Sequence, residues 1–324
     1  MAGKIRIYAC GGCGIKVSDY FNNVPVEKGF AEISVTCLDT SDSNIRGTSF
    51  TKDQLFIIPD VDGSGGVRGE NIDLINDNYQ NIINAFPPAD VNIVVGAGGG
   101  GSGSGFVNIV TERLVDEGYN TFSIVVGSNE SSRRLTNSIA TIKSLALSVQ
   151  EINKNIVVAY FQNEASGRFA DVDLAVRSLI SKVSYLSSKQ NIGLDTADLR
   201  NFFNYGNVAK SVQPMLVLLQ VCDSVEELKN VKKPISIASI YKELDPIKHG
   251  VECDYDCFGT SETSAIKEDM HFAITNDGLN DILKTMESSR KSINDSSKAR
   301  TVNNLLGSDE ATTTVGKKRI ILED

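Results

Sequence analysis

Three short segments of the chain hold residue types and spacings from which chemistry can be built. In Gly99-Gly100-Gly101-Ser102-Gly103-Ser104-Gly105, five of seven residues lack a Cβ. Several consecutive N–H groups can therefore turn toward one anion, and the two serines can add hydroxyls. Ala9-Cys10-Gly11-Gly12-Cys13-Gly14 is a second, shorter glycine loop. Leu194-Asp195-Thr196-Ala197-Asp198 sets two carboxylates three residues apart. At the start of a helix both lie on one side, suited to orienting a water and holding a hydrated cation. The same spacing describes a helix cap, with Asp195 as N-cap and Asp198 as the acid of the first turn, and the residues alone leave both readings open.

The elements that must position these segments are legible as periodic runs. Stretches 5–9, 31–38, 91–95, 122–126 and 156–161 have strand character, and each ends in a polar or glycine-bearing turn. Helical periods lie between most of them, as in Phe106, Val110 and Leu114 ahead of Gly118, and again over 131–149. Alternating strand and helix predicts an α/β fold with a Rossmann-like N-terminal domain built on a parallel sheet, residues 1–168. Val172, Ala175, Leu179, Val183 and Leu186 then mark a long central helix within 169–193. Residues 194–275 carry a short helix at 195–205 and strand runs at 214–221, 235–241 and 271–275, which predicts a smaller α+β C-terminal domain with its own sheet. Asn276 is an N-cap for a terminal helix to about Arg300, and residues 276–324 form that helix and a polar tail.

Composition narrows the chemistry. Of 27 glycines in 324 residues, fourteen fall in 10–14, 63–69 and 96–105, so they mark backbone that something approaches closely. A net charge of −9 disfavours a protein that coats nucleic acid by neutralising phosphates. Apolar runs such as 215–219 are too short to span a bilayer, and no membrane partner is expected. Six cysteines without a secretion signal read as reduced thiols, although Cys10 and Cys13 make a CxxC and Cys253 and Cys257 a CxxxC. The first loop together with Asp39, at the end of the second strand, also fits an NAD-dependent oxidoreductase. Val17 stands where the third glycine of GxGxxG belongs, and the lysine-bearing Walker A loop does not occur.

The loop at 99–105 resembles the signature loop of the tubulin/FtsZ GTPases. CLDTSDSN at 37–44, Val125-Val126-Gly127 with Glu130, NEASGR at 163–168, LDTAD at 194–198 and HFAI before a terminal helix are similar to the branch of that family found in giant bacteriophages. The resemblance implies GTP/GDP binding, GTP hydrolysis, Mg2+ and head-to-tail self-assembly into dynamic filaments. It also implies positioning of phage DNA in the cytoplasm of the infected bacterium, with no direct nucleic-acid binding. On the matching positions it implies Gly11, Gly12 and Cys13 in a first phosphate loop and Asp39 and Asn44 in a second. Gly63-Ser64-Gly65-Gly66 falls on a third loop, which senses the γ-phosphate in this family. Gly99, Gly100, Gly101, Ser102, Gly103 and Ser104 would wrap the distal phosphates. Glu130 falls on a ribose ligand, Asn163 and Asp173 on contacts to the guanine edge, and Asp195 and Asp198 on catalytic acids. Cys13 stands where relatives often carry threonine, and Gly193 where they carry asparagine. Arg133 and Arg134, just after the fifth loop, could reach phosphate or water.

These assignments have a mechanical consequence. Asp173 and Asp195 are 22 residues apart, mostly helix, which separates them by about 25–33 Å. One nucleotide cannot touch both, so the acids would act on GTP bound to the next subunit. Residues from Leu279 onward carry a net charge of +1 against −10 before them, which motivates docking of the terminal helix and tail on a neighbour. A non-catalytic nucleotide-binding partition or adaptor protein is the remaining alternative.

Overall fold

A computed structural model of the chain describes residues 2–25, 28–261 and 268–298. The expected apolar runs pair as parallel strands: β1 (Lys4–Cys10) lies between β2 (Glu32–Asp39) and β4 (Val91–Ala97), and β5 (Thr121–Ser128) and β6 (Ile156–Asn163) follow β4. A three-residue strand, β3 (Leu55–Ile57), closes the outer edge beside β2. Strands covered on both faces need apolar residues at every position, and alternation then assigns each to a face. Ile93 and Val95 of β4 join one core with helices α1 (Gly11–Asn23) and α5 (Phe169–Leu186). Val94 joins the other, with α2 (Ile72–Ala85), α3 (Ser102–Asp116) and α4 (Ser132–Ile152).

The smaller sheet expected beyond residue 194 is not a separate one. β7 (Leu216–Cys222) pairs in parallel with β6 from Ile156↔Leu216 to Val158↔Leu218, and this three-residue ladder fuses the two halves. Beyond it lie β10 (Met270–Thr275), antiparallel to both neighbours, then β8 (Pro234–Tyr241) and β9 (Tyr255–Thr260). Among the described residues the sheet has ten strands in the order β3-β2-β1-β4-β5-β6-β7-β10-β8-β9. The fusion follows from the apolar ends of both strands: Ile156, Val157, Val158, Leu216, Val217 and Leu218 are all buried and need covering on both faces. The antiparallel β10 keeps the α+β character of this half.

Helix α6 (Thr196–Phe203) is anchored under the N-terminal sheet by Phe203, whose ring stacks on Phe122 of β5 with centroids 5.6 Å apart. A short helix, α7 (Val225–Asn230), follows β7. The terminal helix α8 (Leu279–Lys298) begins two residues later than an N-cap at Asn276 implies, because Gly278 has φ of 92°, outside helical space. Leu279 and Met286 bury the near side of α8 against the α4 layer, and Lys143 of α4 reaches Glu287 at 2.6 Å. The expected tail lies outside the described residues. No helix among them is long and apolar enough to cross a membrane.

Candidate functional site

Six parallel strands end on one edge, which is where ligands bind in open α/β sheets. The loops leaving β1 to β6 surround a cleft of about 810 Å3. Gly11, Gly12, Cys13, Asp39, Asn44, Gly99, Gly100, Gly101, Ser102, Gly103, Asn163 and Asp173 line it together, so residues scattered over 160 positions meet in one place. The glycines are there because the loops press on one another. A Cβ on Gly11, whose φ is +64°, would lie 2.9 Å from Gly103 Cα, and one on Gly12 would lie 2.6 Å from Asn44 Oδ1. The first glycine loop is itself the opening turn of α1, which starts at Gly11.

Two helices therefore begin at the cleft, α1 at Gly11 and α3 at Ser102, and neither is capped by its own N-cap side chain. Their first N–H groups and the positive ends of their dipoles are what an anion would meet. Side-chain charge adds little net bias, since Lys16, Arg133 and Arg134 line the cleft against Asp39, Asp62 and Asp173. Asp39 is 3% exposed, and burial pushes its carboxyl up. Asn44 Nδ2 and the Thr40 N–H oppose that shift by donating to it at 2.8 and 2.7 Å. Tied in this way, Asp39 orients the second loop and is not free to hold a ribose, as the oxidoreductase reading requires. Thr40 Oγ1 and Ser102 Oγ, 2.6 Å apart, bolt the second loop to α3.

The opposite end of the cleft has a different chemistry. Asn163 Oδ1 is buried without a hydrogen-bond partner, an acceptor that needs a donor from whatever fills the space. Asp173 supplies a carboxylate there; burial raises its pKa, with Arg177 and Lys16 pulling it back. Phe169, at the start of α5, also lines this end and is 52% exposed, an apolar ring largely open to solvent. A purine with N1–H and an exocyclic amine offers donors to both acceptors and a flat face to the ring. Guanine fits; adenine, with an acceptor at N1, does not.

Two expected residues turn away. Ser104 does not line the cleft: it is fully buried, and its hydroxyl donates to the Gly100 and Gly101 carbonyls at 2.9 and 2.8 Å, closing the loop on itself. Glu130 also lies off the lining, its carboxylate engaged by Ser128 Oγ and Arg134. Lys16, Asp62 and Phe169 are among the lining residues that escaped site assignment from the sequence. Only Phe169 had a signal, its place directly after NEASGR. Cys13 is an inert thiol, pushed up to about 12 chiefly by burial. All six cysteines are free, and among the described residues no group of three or more His, Cys, Asp or Glu could hold a metal ion.

Asp195 and Asp198 do not line the cleft. They form the capping box of α6: Asp195 Oδ1 accepts from the N–H groups of Ala197 and Asp198 at 2.7 and 3.0 Å, and Asp198 Oδ2 accepts from the Asp195 N–H at 2.9 Å. These backbone bonds hold the Asp195 carboxyl below its usual range. Asp195 is exposed at the end of the turn that follows α5, and Asp198 is half-buried in the first turn of α6. Gly193 enters that turn at φ of 81°, a left-handed conformation that glycine and asparagine share more readily than other residues.

A cleft of this kind selects a ligand that is anionic at one end and presents ring donors at the other, which puts the chain among the nucleotide-binding α/β proteins. Comparison with known proteins narrows the class. The GTPase domain of the Tubulin/FtsZ family matches residues 4–171, and the C-terminal domain of phage tubulin-like protein matches 194–279. The chain belongs to the tubulin/FtsZ family. It is similar to the phage tubulin-like protein of Pseudomonas phage phiKZ, 27% identical over 304 residues that cover 90% of each chain. The corresponding protein of Pseudomonas phage PhiPA3 is 22% identical over 279 residues, 85% of this chain and 86% of that one. Among solved structures, a protofilament of TubZ from bacteriophage PhiKZ superposes with a TM-score of 0.85 at 27% identity, covering 94% of this chain and 96% of that one. The structure of phage tubulin PhuZ with GDP gives the same TM-score and coverage at 24% identity, a likeness of fold.

Proposed function

We propose that the chain binds GTP in the cleft, assembles head-to-tail into dynamic filaments and hydrolyses the nucleotide with acids from the adjoining subunit. The observation that carries this reading is the separation of the two half-sites. From Asp173 the rest of α5 runs thirteen residues, about 20 Å, before the chain turns toward Asp195. Gly11, Gly12, Cys13 and Gly99 to Gly103 cradle the phosphates through backbone amides, Ser104 closes that loop from behind, and Asn44 and Asp39 shape the second loop. Asn163 and Asp173 read the guanine edge, with Phe169 against its face. Asp195 and Asp198 of the next subunit orient the attacking water and take up its proton. A magnesium ion would be held mainly by the phosphates and would neutralise charge there, since among the described residues no carboxylate cluster is grouped to hold it.

The filament and protofilament forms of phage relatives support self-assembly, and the GDP complex of one supports guanine nucleotide as ligand. A heterologous contact that repeats makes a filament, and loss of the γ-phosphate weakens the joint that the nucleotide bridges. On this reading residues 1–168 bind nucleotide, 169–193 form the connecting helix, 194–275 supply the acids and 276–324 dock on a neighbour. The cellular role carried by the family likeness is positioning of phage DNA in the host cytoplasm through indirect contacts.

Mixing tests the shared site. Asp198→Ala subunits keep a complete cleft, and Asp173→Ala subunits keep the acids. Each alone is expected to hydrolyse GTP poorly, and the mixture to recover activity. A mixture no more active than its parts contradicts a site shared between subunits.

A further inference from the structure

We infer that Gln162 is a positioning residue for base recognition: braced by Tyr160, it holds the Asn163 main chain and so sets where the Asn163 acceptor meets the guanine edge. The inference rests on the reading of Asn163 as a contact to that edge. Side chains alternate along β6, so Tyr160 and Gln162 share one face while Phe161 and Asn163 share the other. Tyr160 accordingly packs with the layer of α3 and α4, and Phe161 with that of α1 and α5. Support for Asn163 from the Gln162 face must therefore come through the main chain. Gln162 Nε2 donates to the Asn163 carbonyl at 3.1 Å, beside the Asn129 N–H, which donates to the same oxygen at 3.2 Å. Asn163 Oδ1 has no hydrogen-bond partner of its own, so its position depends on the backbone that carries it.

The Gln162 amide is itself oriented. Tyr160 Oη donates to Gln162 Oε1 and stands 3.2 Å from Met286 Sδ of α8. Burial, with the charge of Glu164 acting in the same direction, keeps that hydroxyl protonated, so it remains a donor. An amide whose oxygen is claimed in this way can turn only its NH2 group toward a carbonyl. Met286 is buried, which fixes the hydroxyl from the α8 side. The strand opposite leaves room for the pair. Gly127 of β5 stands across from Gln162, and a Cβ there would lie 2.7 Å from Gln162 Oε1 and collide with the Tyr160 hydroxyl. This accounts for the glycine of the Val125-Val126-Gly127 run, which touches no part of the cleft lining.

A double-mutant cycle on GDP affinity, measured calorimetrically, tests this. Tyr160→Phe and Gln162→Leu are each expected to weaken GDP by about three- to ten-fold in the otherwise native chain, the worth of one neutral hydrogen bond. In an Asn163→Ala background, already weakened, neither is expected to cost anything further. The second result separates positioning from a general loosening of the cleft, which would cost the same in both backgrounds. Unchanged or tighter GDP binding in either single variant, or an equal loss with and without Asn163, would overturn the inference while leaving the nucleotide site standing. Wild-type affinity in Asn163→Ala would overturn the reading of Asn163 as a base contact, and the inference with it. Failure of the native chain to bind GDP would overturn the nucleotide site itself.

Discussion

Tyr255 Oη donates a hydrogen bond of 3.2 Å to Asp198 Oδ1, which ties the first residue of β9 to the first turn of α6. Since Asp198 Oδ2 already accepts from the Asp195 backbone, the carboxylate is held from two elements at once. On the proposed reading, a side chain fixed in this way would lose little freedom on meeting a neighbour's nucleotide. Burial is the main cause that keeps the Tyr255 hydroxyl protonated, with the charges of Cys257 and Asp198 acting in the same direction, so it remains a donor.

Tyr255→Phe removes that donor, along with the hydroxyl's contact to Asn201, and keeps the ring. Turnover inside filaments is expected to fall about three- to ten-fold, the worth of one hydrogen bond, while GTP affinity and the critical concentration hold. Single-turnover hydrolysis at saturating protein checks it. Unchanged turnover would mean that Tyr255 does not position Asp198.

Base selection is expected to reside in Asp173. Asp173→Asn replaces an all-acceptor carboxylate with an amide that presents a donor toward guanine's own donors. GTP binding should weaken by about ten- to a hundred-fold, the range for a hydrogen bond to a charged group that is lost or reversed. Competition between GTP and ATP for the cleft reads the change, and an undiminished preference for GTP would remove Asp173 from base recognition.

Stability should depend on pH through the two histidines of the chain. His271 is fully buried, its Nδ1 2.8 Å from Ser239 Oγ and its Nε2 without a partner, and its ring lies 6.0 Å from that of His249. Burial lowers both pKa values below the ordinary 6.5; His249 lowers His271 further, and Lys248 lowers His249, with Asp269 and Asp256 opposing. The unfolded chain therefore binds more protons in this range. Stability is full above about 6.5 and declines as pH falls through that value toward the lower folded-state values. Thermal unfolding between about pH 7.5 and 5.5 should show the decline, and His271→Gln should flatten it. A parallel slope in the variant would show that other groups carry the dependence.

The sequence shows the core strands plainly because they are buried on both faces and read as unbroken apolar runs, as in β4 and β5. β3 escapes notice at three residues, and β9, YDCFGT, has too mixed a pattern to stand out. The joining of β6 to β7 depends on a tertiary pairing that leaves no local mark. In the site, glycine density exposes the phosphate end, since close backbone approach constrains residue type. Ser64 over Gly101, Phe169 at the base end and the inward turn of Ser104 depend on where loops cross, and composition is silent there. The acids at 195 and 198 show why the two readings stayed open: the structure realises the helix cap, with Asp195 exposed and Asp198 half-buried, and a cap of this kind does not exclude the second role.

The central claim is that the active site is made between subunits, and phosphate release measured against protein concentration tests it most directly. The account predicts almost no release from dilute subunits that have bound GTP, then a steep onset at the concentration where filaments appear. A rate per subunit that is constant from the dilute range through assembly would contradict it.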